Sequence, residues 1–260
     1  MASLVGTQVW FPDQASVWAE GLVVDCDEHD AVVRRASGKT FSVPVEQVLR
    51  QNPPESSRQP NLTSLQFLHE PAVMDVLESR YKDGSIYTLC GRTLIAVNPY
   101  QEIAGLYDDK ALQQFMLETS HVKVDPHVFG MASGAFRAIT ERRVSQSILI
   151  SGESGAGKTE TAKLVMRYFA MAGAGNETVT LVERRLLESN PLLEAFGNAP
   201  TLRNDNSSRF GKYTQIQFCP CSKRPGALRV HGARVQTYLL EKVRLTLARS
   251  HQHEGNFHIF

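Results

Sequence analysis

The apolar run Ile148-Leu-Ile150 feeds a glycine-rich turn closing on Lys158 and Thr159, and a helical pattern follows at once. The spacing from Gly152 through Gly157 to Lys158 and Thr159 is G-x-x-x-x-G-K-S/T, a loop built to hold phosphate. Gly152, Gly155 and Gly157 lack a Cβ, so the backbone can adopt positive φ. The N–H groups of Glu153, Ser154, Ala156 and their neighbours are then free to turn inward around an anion. Lys158 supplies a point charge for the β and γ phosphates, and the Thr159 hydroxyl suits Mg²⁺. After Lys158, Ala162, Val165, Met166 and Phe169 fall on one helical face, and Gly173 is the expected C-cap. The predicted order is therefore buried strand, loop, helix, with the positive helix N-terminus aimed at the phosphates.

At 260 residues, 42% hydrophobic and with net charge +1, the chain has material for one large core or two smaller ones. That balance gives no reason to expect nucleic acid as a partner. No apolar run approaches the roughly 20 residues that cross a bilayer, so no transmembrane segment is expected and the location predicted is cytoplasmic. The four cysteines are too few for a disulfide framework. Cys219-Pro-Cys221 lacks a second pair at zinc-ligand spacing, and His251 and His253 sit in a polar stretch that reads as a solvated loop.

Residues 1–52 hold short β-rich runs, Thr7 to Phe11, Trp18 to Cys26, Ala31 to Arg35 and Thr40 to Val45, with tight turns between them. This pattern predicts a small all-β barrel with Trp10, Trp18, Val23 and Phe41 inside. Residues 53–60 read as a Pro/Ser-rich linker, and 61–260 as an α/β domain. Within the latter, Pro71 opens a helix with a face of Val73, Val76, Leu77 and Tyr81, and β runs follow at Ile86 to Leu89 and Thr93 to Val97. A second amphipathic helix carries Val128, Met131, Ala132, Ala135, Phe136 and Ile139. A third runs through Val179, Val182 and Leu186 and is expected to stop near Asn190-Pro191. Thr214, Ile216 and Phe218 alternate as in a half-buried strand, and Leu228 to Val235 returns after the Pro225-Gly226 turn.

One other polar cluster suits a γ-phosphate: Asn204-Asp-Asn-Ser-Ser-Arg-Phe-Gly-Lys212, read as a loop before a strand. It offers an amide, adjacent hydroxyls and a guanidinium. With this segment in hand the chain resembles the N-terminal part of a myosin motor domain. Gly152 to Glu160 matches the family's phosphate loop, and Asn204 to Lys212 its switch I. The match continues through Leu68-His-Glu-Pro71, Ile95-Ala-Val-Asn-Pro-Tyr100, Pro126-His-Val-Phe129, Glu188-Ser-Asn-Pro191, Leu193 to Ala199, Tyr238-Leu-Leu-Glu-Lys242 and Asn256 to Phe260. The wording of the N-terminal unit is nearest the class V and plant class XI members.

The resemblance implies a P-loop NTPase with a mixed sheet and flanking helices, and an actin-activated ATPase located on the cytoskeleton. It implies that Lys158, Asn204, Ser207 and Arg209 serve catalysis, that Thr159 and Ser208 hold Mg²⁺, and that Asn98, Pro99 and Tyr107 bind the purine of ATP. Arg209 is expected to pair with a glutamate of switch II. The sequence to Phe260 holds no Asp-Ile-x-Gly-Phe-Glu segment, so the reading leaves Arg209 without its partner and Ile148 to Ile150 with open edges. The isolated chain is accordingly expected to turn over ATP poorly. Departures from the family pattern are Pro200, Val243 and a hairpin lengthened at Cys219 to Gly226. A kinesin-like motor shares the Asn-x-x-Ser-Ser-Arg switch, but kinesins continue Ser-His where Arg209 here leads into Phe210-Gly-Lys212. A module that binds nucleotide without hydrolysis is the other alternative.

Overall fold

The computed structural model describes residues 4–117, 125–174, 191–221, 226–246 and 254–259. Two compact units emerge, Met1–Val97 and Asn98–Phe260.

The first unit begins with five strands: β1 Gln8–Asp13, β2 Val17–Cys26, β3 Asp30–Arg34, β4 Thr40–Pro44 and β5 Leu49–Arg50. They form one antiparallel sheet in the order β4-β3-β2-β1-β5. The predicted strands are present within a few residues, but the predicted barrel is not closed by pairing, because β4 and β5 each have one neighbour. Two of the residues expected to fill the core, Trp10 and Trp18, each sit one residue off it, whereas Val23 is buried and Phe41 packs against it as expected. Val9, Phe11, Ala19, Val23, Ala31, Val33 and Val43 are buried, while Trp10 and Trp18 are half-exposed and Phe41 packs at the margin. A strand presents alternate residues to opposite faces, so placing Val9 and Phe11 inward turns Trp10 outward. Arg35 lies over the rings of Phe11 and Phe41 and pairs with Asp13. Hydrogen bonds from Ser16 and then Arg35 hold the Asp13 carboxyl down at about 2.

Segment 53–60 lies inside this unit, and Pro54–Arg58 is a 3-10 helix. Helix α1, Glu70–Lys82, is capped by His69, whose ring accepts the Ala72 N–H, with Pro71 in the first turn. Its buried face is Ala72, Val76 and Arg80, flanked by Val73, whereas Tyr81 is exposed. The hydrophobic pattern missed Arg80 because a cation is not counted as core. The guanidinium is buried where Nε donates to Thr88 Oγ1 at 3.0 Å, and its other nitrogens donate to the carbonyls of Arg58 at 3.1 Å and Tyr87 at 2.9 Å. It thereby ties α1 to the 3-10 helix and to the hairpin of β6, Tyr87–Cys90, and β7, Thr93–Ala96.

The second unit contains α2 Asp109–Leu117, α3 Val128–Arg142 and α4 Lys158–Ala174, with α4 packed on α3. Residues 191–197 are helical, and four strands follow: β8 Asn198–Thr201, β9 Asn204–Ser208, β10 Gly211–Pro220 and β11 Leu228–Tyr238. These pair as two antiparallel hairpins, β8-β9 and β10-β11. Phe136, Phe169 and Phe218 meet with ring centroids 5.5 to 6.4 Å apart, joining α3, α4 and β10. Thr214, Ile216 and Phe218 are half-buried in alternation with exposed Tyr213, Gln215 and Gln217, as their spacing predicts. Gly173 is a buried residue within α4 and not a left-handed cap. The helix predicted through Val179, Val182 and Leu186 lies outside the described residues.

Of two further expectations, one is not seen among the described residues and one is corrected. Ile148 to Ile150 belong to no ladder, and Leu149 is 92% exposed, so the buried parallel strand and the mixed sheet are not seen among the described residues. A strand exists only as a paired state, and no described segment pairs with this one. Residues 204–208, expected as a loop, form β9 because they pair with β8, so tertiary pairing overrides the low strand preference of Asn, Asp and Ser. The register slips between Ala199 and Thr201, where Pro200 has no N–H to give the ladder.

His127 caps α3 from within an aromatic cluster. Its Nδ1 accepts the Phe129 N–H at 3.0 Å, so the proton is on Nε2, which donates to the Leu106 carbonyl at 3.0 Å. The ring stacks on Phe115 at 4.9 Å and touches Phe129 at 4.8 Å. Burial depresses its pKa from 6.5 to about 4, partly offset by the bond to Leu106. The folded value lies below the unfolded one, so the unfolded chain takes up the proton first as pH falls. Above pH 6.5 the group has no effect, and between there and about 4 it removes stability by at most about 1.4 kcal/mol per pH unit. NMR titration of the imidazole is expected to show no inflection near 6.5, and that part of the pH slope is expected to vanish in His127→Gln.

Candidate functional site

The glycine-rich loop has the backbone its sequence requires. Gly152, Gly155 and Gly157 have φ of 154°, 81° and 90°, all in the region that favours glycine. The loop turns through Ala156 N–H to Glu153 O at 3.2 Å, and Thr161 N–H to Gly157 O at 2.9 Å opens α4. Lys158 folds back over the loop, its Nζ donating to the carbonyls of Gly152 at 2.7 Å and Glu153 at 2.8 Å. The ammonium is thus held over the turn rather than extended into solvent.

Fifty residues downstream, β9 comes to the same place. Ser154 Oγ and Ser207 Oγ are 3.0 Å apart, and Thr159 Oγ1 and Ser208 Oγ are 3.4 Å apart. The Arg203 guanidinium reaches Glu153 Oε2 at 3.1 Å. A Cβ placed on Gly155 would stand 3.9 Å from the Asn204 Cβ, so Asn204 borders the loop as well. The fold has therefore joined the two polar segments that the sequence analysis selected separately.

Asn98 approaches from a third side. Its Nδ2 donates to the Gly155 carbonyl at 2.6 Å, and its Oδ1 accepts the Tyr100 N–H at 2.9 Å. Tyr100, with φ 51°, puts its hydroxyl near Gly155, a contact the sequence reading had not assigned. Pro99 follows Asn98 and is half-buried. The Tyr107 ring packs 5.7 Å from His127 and 6.3 Å from Phe129. Its carbonyl accepts from Arg167 of α4 at 2.6 Å, so the helix that begins at the loop also fixes the Tyr107 segment.

Arg209 does have an acidic partner, which corrects the expectation that it would lack one. Its Nε donates to Glu241 Oε2 at 2.7 Å, and its NH1 donates to Ser207 Oγ at 3.2 Å. Buried Arg244 donates to the same Glu241 oxygen at 2.9 Å and to the Gly255 carbonyl at 2.8 Å. Burial acts to raise the Glu241 pKa, but hydrogen bonds from Arg244 and Arg209 outweigh it and lower the value. Glu241 sits within Tyr238 to Lys242, a stretch noted for its wording but given no role in the sequence reading. Asn206 is similarly fixed, accepting at Oδ1 from Asn198 and His258, both at 3.0 Å.

Among the described residues no group of three His, Cys, Asp or Glu side chains is placed to hold a metal. The donors gathered here are hydroxyls, loop N–H groups and one ammonium. That set fits a hard divalent cation only in company with phosphate oxygens, since Mg²⁺ takes few protein ligands and keeps much of its shell from substrate and water. The fit holds for magnesium and polyphosphate together.

Residues 59–260 match the family model of the myosin head (motor domain). The chain belongs to that family. It is 43% identical to Myosin-17 of Arabidopsis thaliana over 99% of its own length, 42% identical to Myosin-11 over 99%, and 43% identical to Myosin-13 over 98%. It spans only 16 to 17% of the length of these relatives. In this myosin head portion, α4 follows the glycine-rich loop, and β9 is the segment resembling switch I. No helix among the described residues is long and apolar enough to cross a membrane.

Proposed function

We propose that this chain is the ATP-binding part of an actin-based, cytoskeletal motor that hydrolyses ATP in its full-length context. The observation carrying the proposal is the double meeting of Ser154 with Ser207 and Thr159 with Ser208, because it brings together the two segments that this reading assigns to phosphate. In this reading the N–H groups of residues 152–159 enclose the polyphosphate, and Lys158 exchanges its carbonyl partners for β and γ phosphate oxygens. Thr159 and Ser208 would hold Mg²⁺, which supplies charge neutralisation for the phosphates. Asn204 steadies the phosphates, and Ser207 orients the attacking water. Arg209, by gripping Ser207, fixes where that hydroxyl points. Asn98, Pro99 and Tyr107 receive the purine. The exposed apolar side chains at Ile148 and Leu149 support a place for this run in the mixed sheet of a P-loop fold, since such a surface needs cover. Phosphoryl transfer depends on positioning and electrostatics, so each of these residues acts by holding its atoms in place.

The test is titration of the purified chain with a fluorescent ATP analogue. Binding that requires magnesium and is lost with EDTA is expected, and no binding at millimolar analogue would overturn the proposal. The same titration is expected to show about tenfold weaker binding for Gly155→Ala. An L residue held at φ 81° costs about 1–2 kcal/mol, and a loop that relaxes to avoid this loses its inward N–H groups.

A further inference from the structure

We infer that Arg203, through its ion pair with Glu153, is a positioning residue that straps β9 onto the phosphate loop and slows nucleotide release; this rests on the nucleotide-site reading above. Arg203 occupies the turn between β8 and β9, directly before Asn204, while Glu153 lies in the loop itself between Gly152 and Ser154. Their contact of 3.1 Å is therefore a third attachment between the two segments, beside the hydroxyl pairs at Ser154–Ser207 and Thr159–Ser208. The three differ in surroundings. Ser207 is buried, Ser208 is exposed, and the side chains of Arg203 and Glu153 are 72% and 85% exposed, so the charged contact lies on the solvent rim of the site. The Arg203 carbonyl also lies close to Gly155, 3.7 Å from where a Cβ would stand, so the hairpin turn follows the loop backbone closely. A nucleotide leaving between loop and β9 must part these segments, and the charged pair is, with Thr159–Ser208, one of the two attachments that face solvent.

The exposure sets the size of the effect. A solvated pair contributes little, so breaking it is expected to speed release by about threefold, with a ceiling near fivefold. The strap also differs from a plain potential effect in sign. If Glu153 and Arg203 acted only through their charges on an anionic ligand, Glu153→Gln would slow release and Arg203→Met would speed it. As a strap, both variants speed it.

The experiment is stopped-flow displacement of magnesium methylanthraniloyl-ADP from the full chain, in wild type, E153Q, R203M and the exchanged pair E153R/R203E. Expected results are faster release in both single variants at about 0.05 M salt, loss of the difference at about 0.5 M, and recovery toward wild type in the exchanged pair. Opposite signs, unmoved rates at low salt, or an exchanged pair no better than the singles would overturn the strap. Failure of the wild-type chain to take up the probe would remove the nucleotide reading and the strap together. Normal uptake with unmoved release rates removes the strap alone.

Discussion

Lys158→Met is expected to weaken magnesium-nucleotide binding by at least about 100-fold while leaving the fold intact. Among the described residues the Lys158 Nζ is bonded only to the Gly152 and Glu153 carbonyls of its own loop. Those bonds hold the ammonium in readiness and are replaceable by water once it is gone. The loss falls on the ligand. A hydrogen bond to a charged group contributes about 1.5–3 kcal/mol, and two phosphate contacts together reach about 3–4 kcal/mol, or two to three decades in affinity. Lys158→Arg is not a conservative control, because the forked guanidinium does not reproduce a point charge seated on two carbonyls. The measurement is a titration with the fluorescent analogue, paired with a urea unfolding curve. An affinity within threefold of wild type, at unchanged stability, would show that the loop does not hold phosphate.

Arg80→Met is expected to destabilise the first unit by about 3–5 kcal/mol. The guanidinium is buried and donates to Thr88 Oγ1 and to the carbonyls of Arg58 and Tyr87. Methionine fills much of the volume but leaves those acceptors without their donors, which is the costly half of a buried hydrogen-bond deletion. Arg80→Lys keeps the charge yet cannot reach three divergent acceptors at once, so an intermediate loss is expected. Thr88→Val removes one acceptor and is expected to cost about 1 kcal/mol. The chain's two tryptophans, Trp10 and Trp18, both lie in this unit, so tryptophan fluorescence during urea unfolding reports on it directly. A midpoint shift equivalent to less than about 1 kcal/mol would mean that water replaces the guanidinium freely.

Particular residues show where reading the sequence succeeded and where it stopped. The glycine positions of the loop, the start of α4, the hairpin β10-β11 and the opening of α1 at Pro71 were all legible, because each follows from short-range rules of backbone freedom or periodicity. Trp10 and Trp18 were misplaced since a run such as Gln8–Asp13 carries apolar residues on both faces, and alternation alone does not say which face is covered. Arg80 was invisible to any hydrophobic pattern. Glu241 had no signal as a partner for Arg209, because 32 residues separate them and nothing local joins a strand end to an arginine upstream. The polar composition of Asn204 to Ser208 pointed to a loop, yet pairing with β8 made it a strand.

By itself the sequence determined the chemistry available: a backbone able to curl around phosphate, an ammonium at its end, and a second polar segment with hydroxyls and a guanidinium. Its family membership rests on the same residues in the same order. Only the tertiary structure decided that Ser154 meets Ser207, that Thr159 meets Ser208, and that Glu241 holds Arg209. The reason is physical. Backbone conformation is governed by neighbours a few bonds away and is written locally, whereas a hydrogen bond between residues some fifty apart depends on how whole elements pack, which no local pattern encodes.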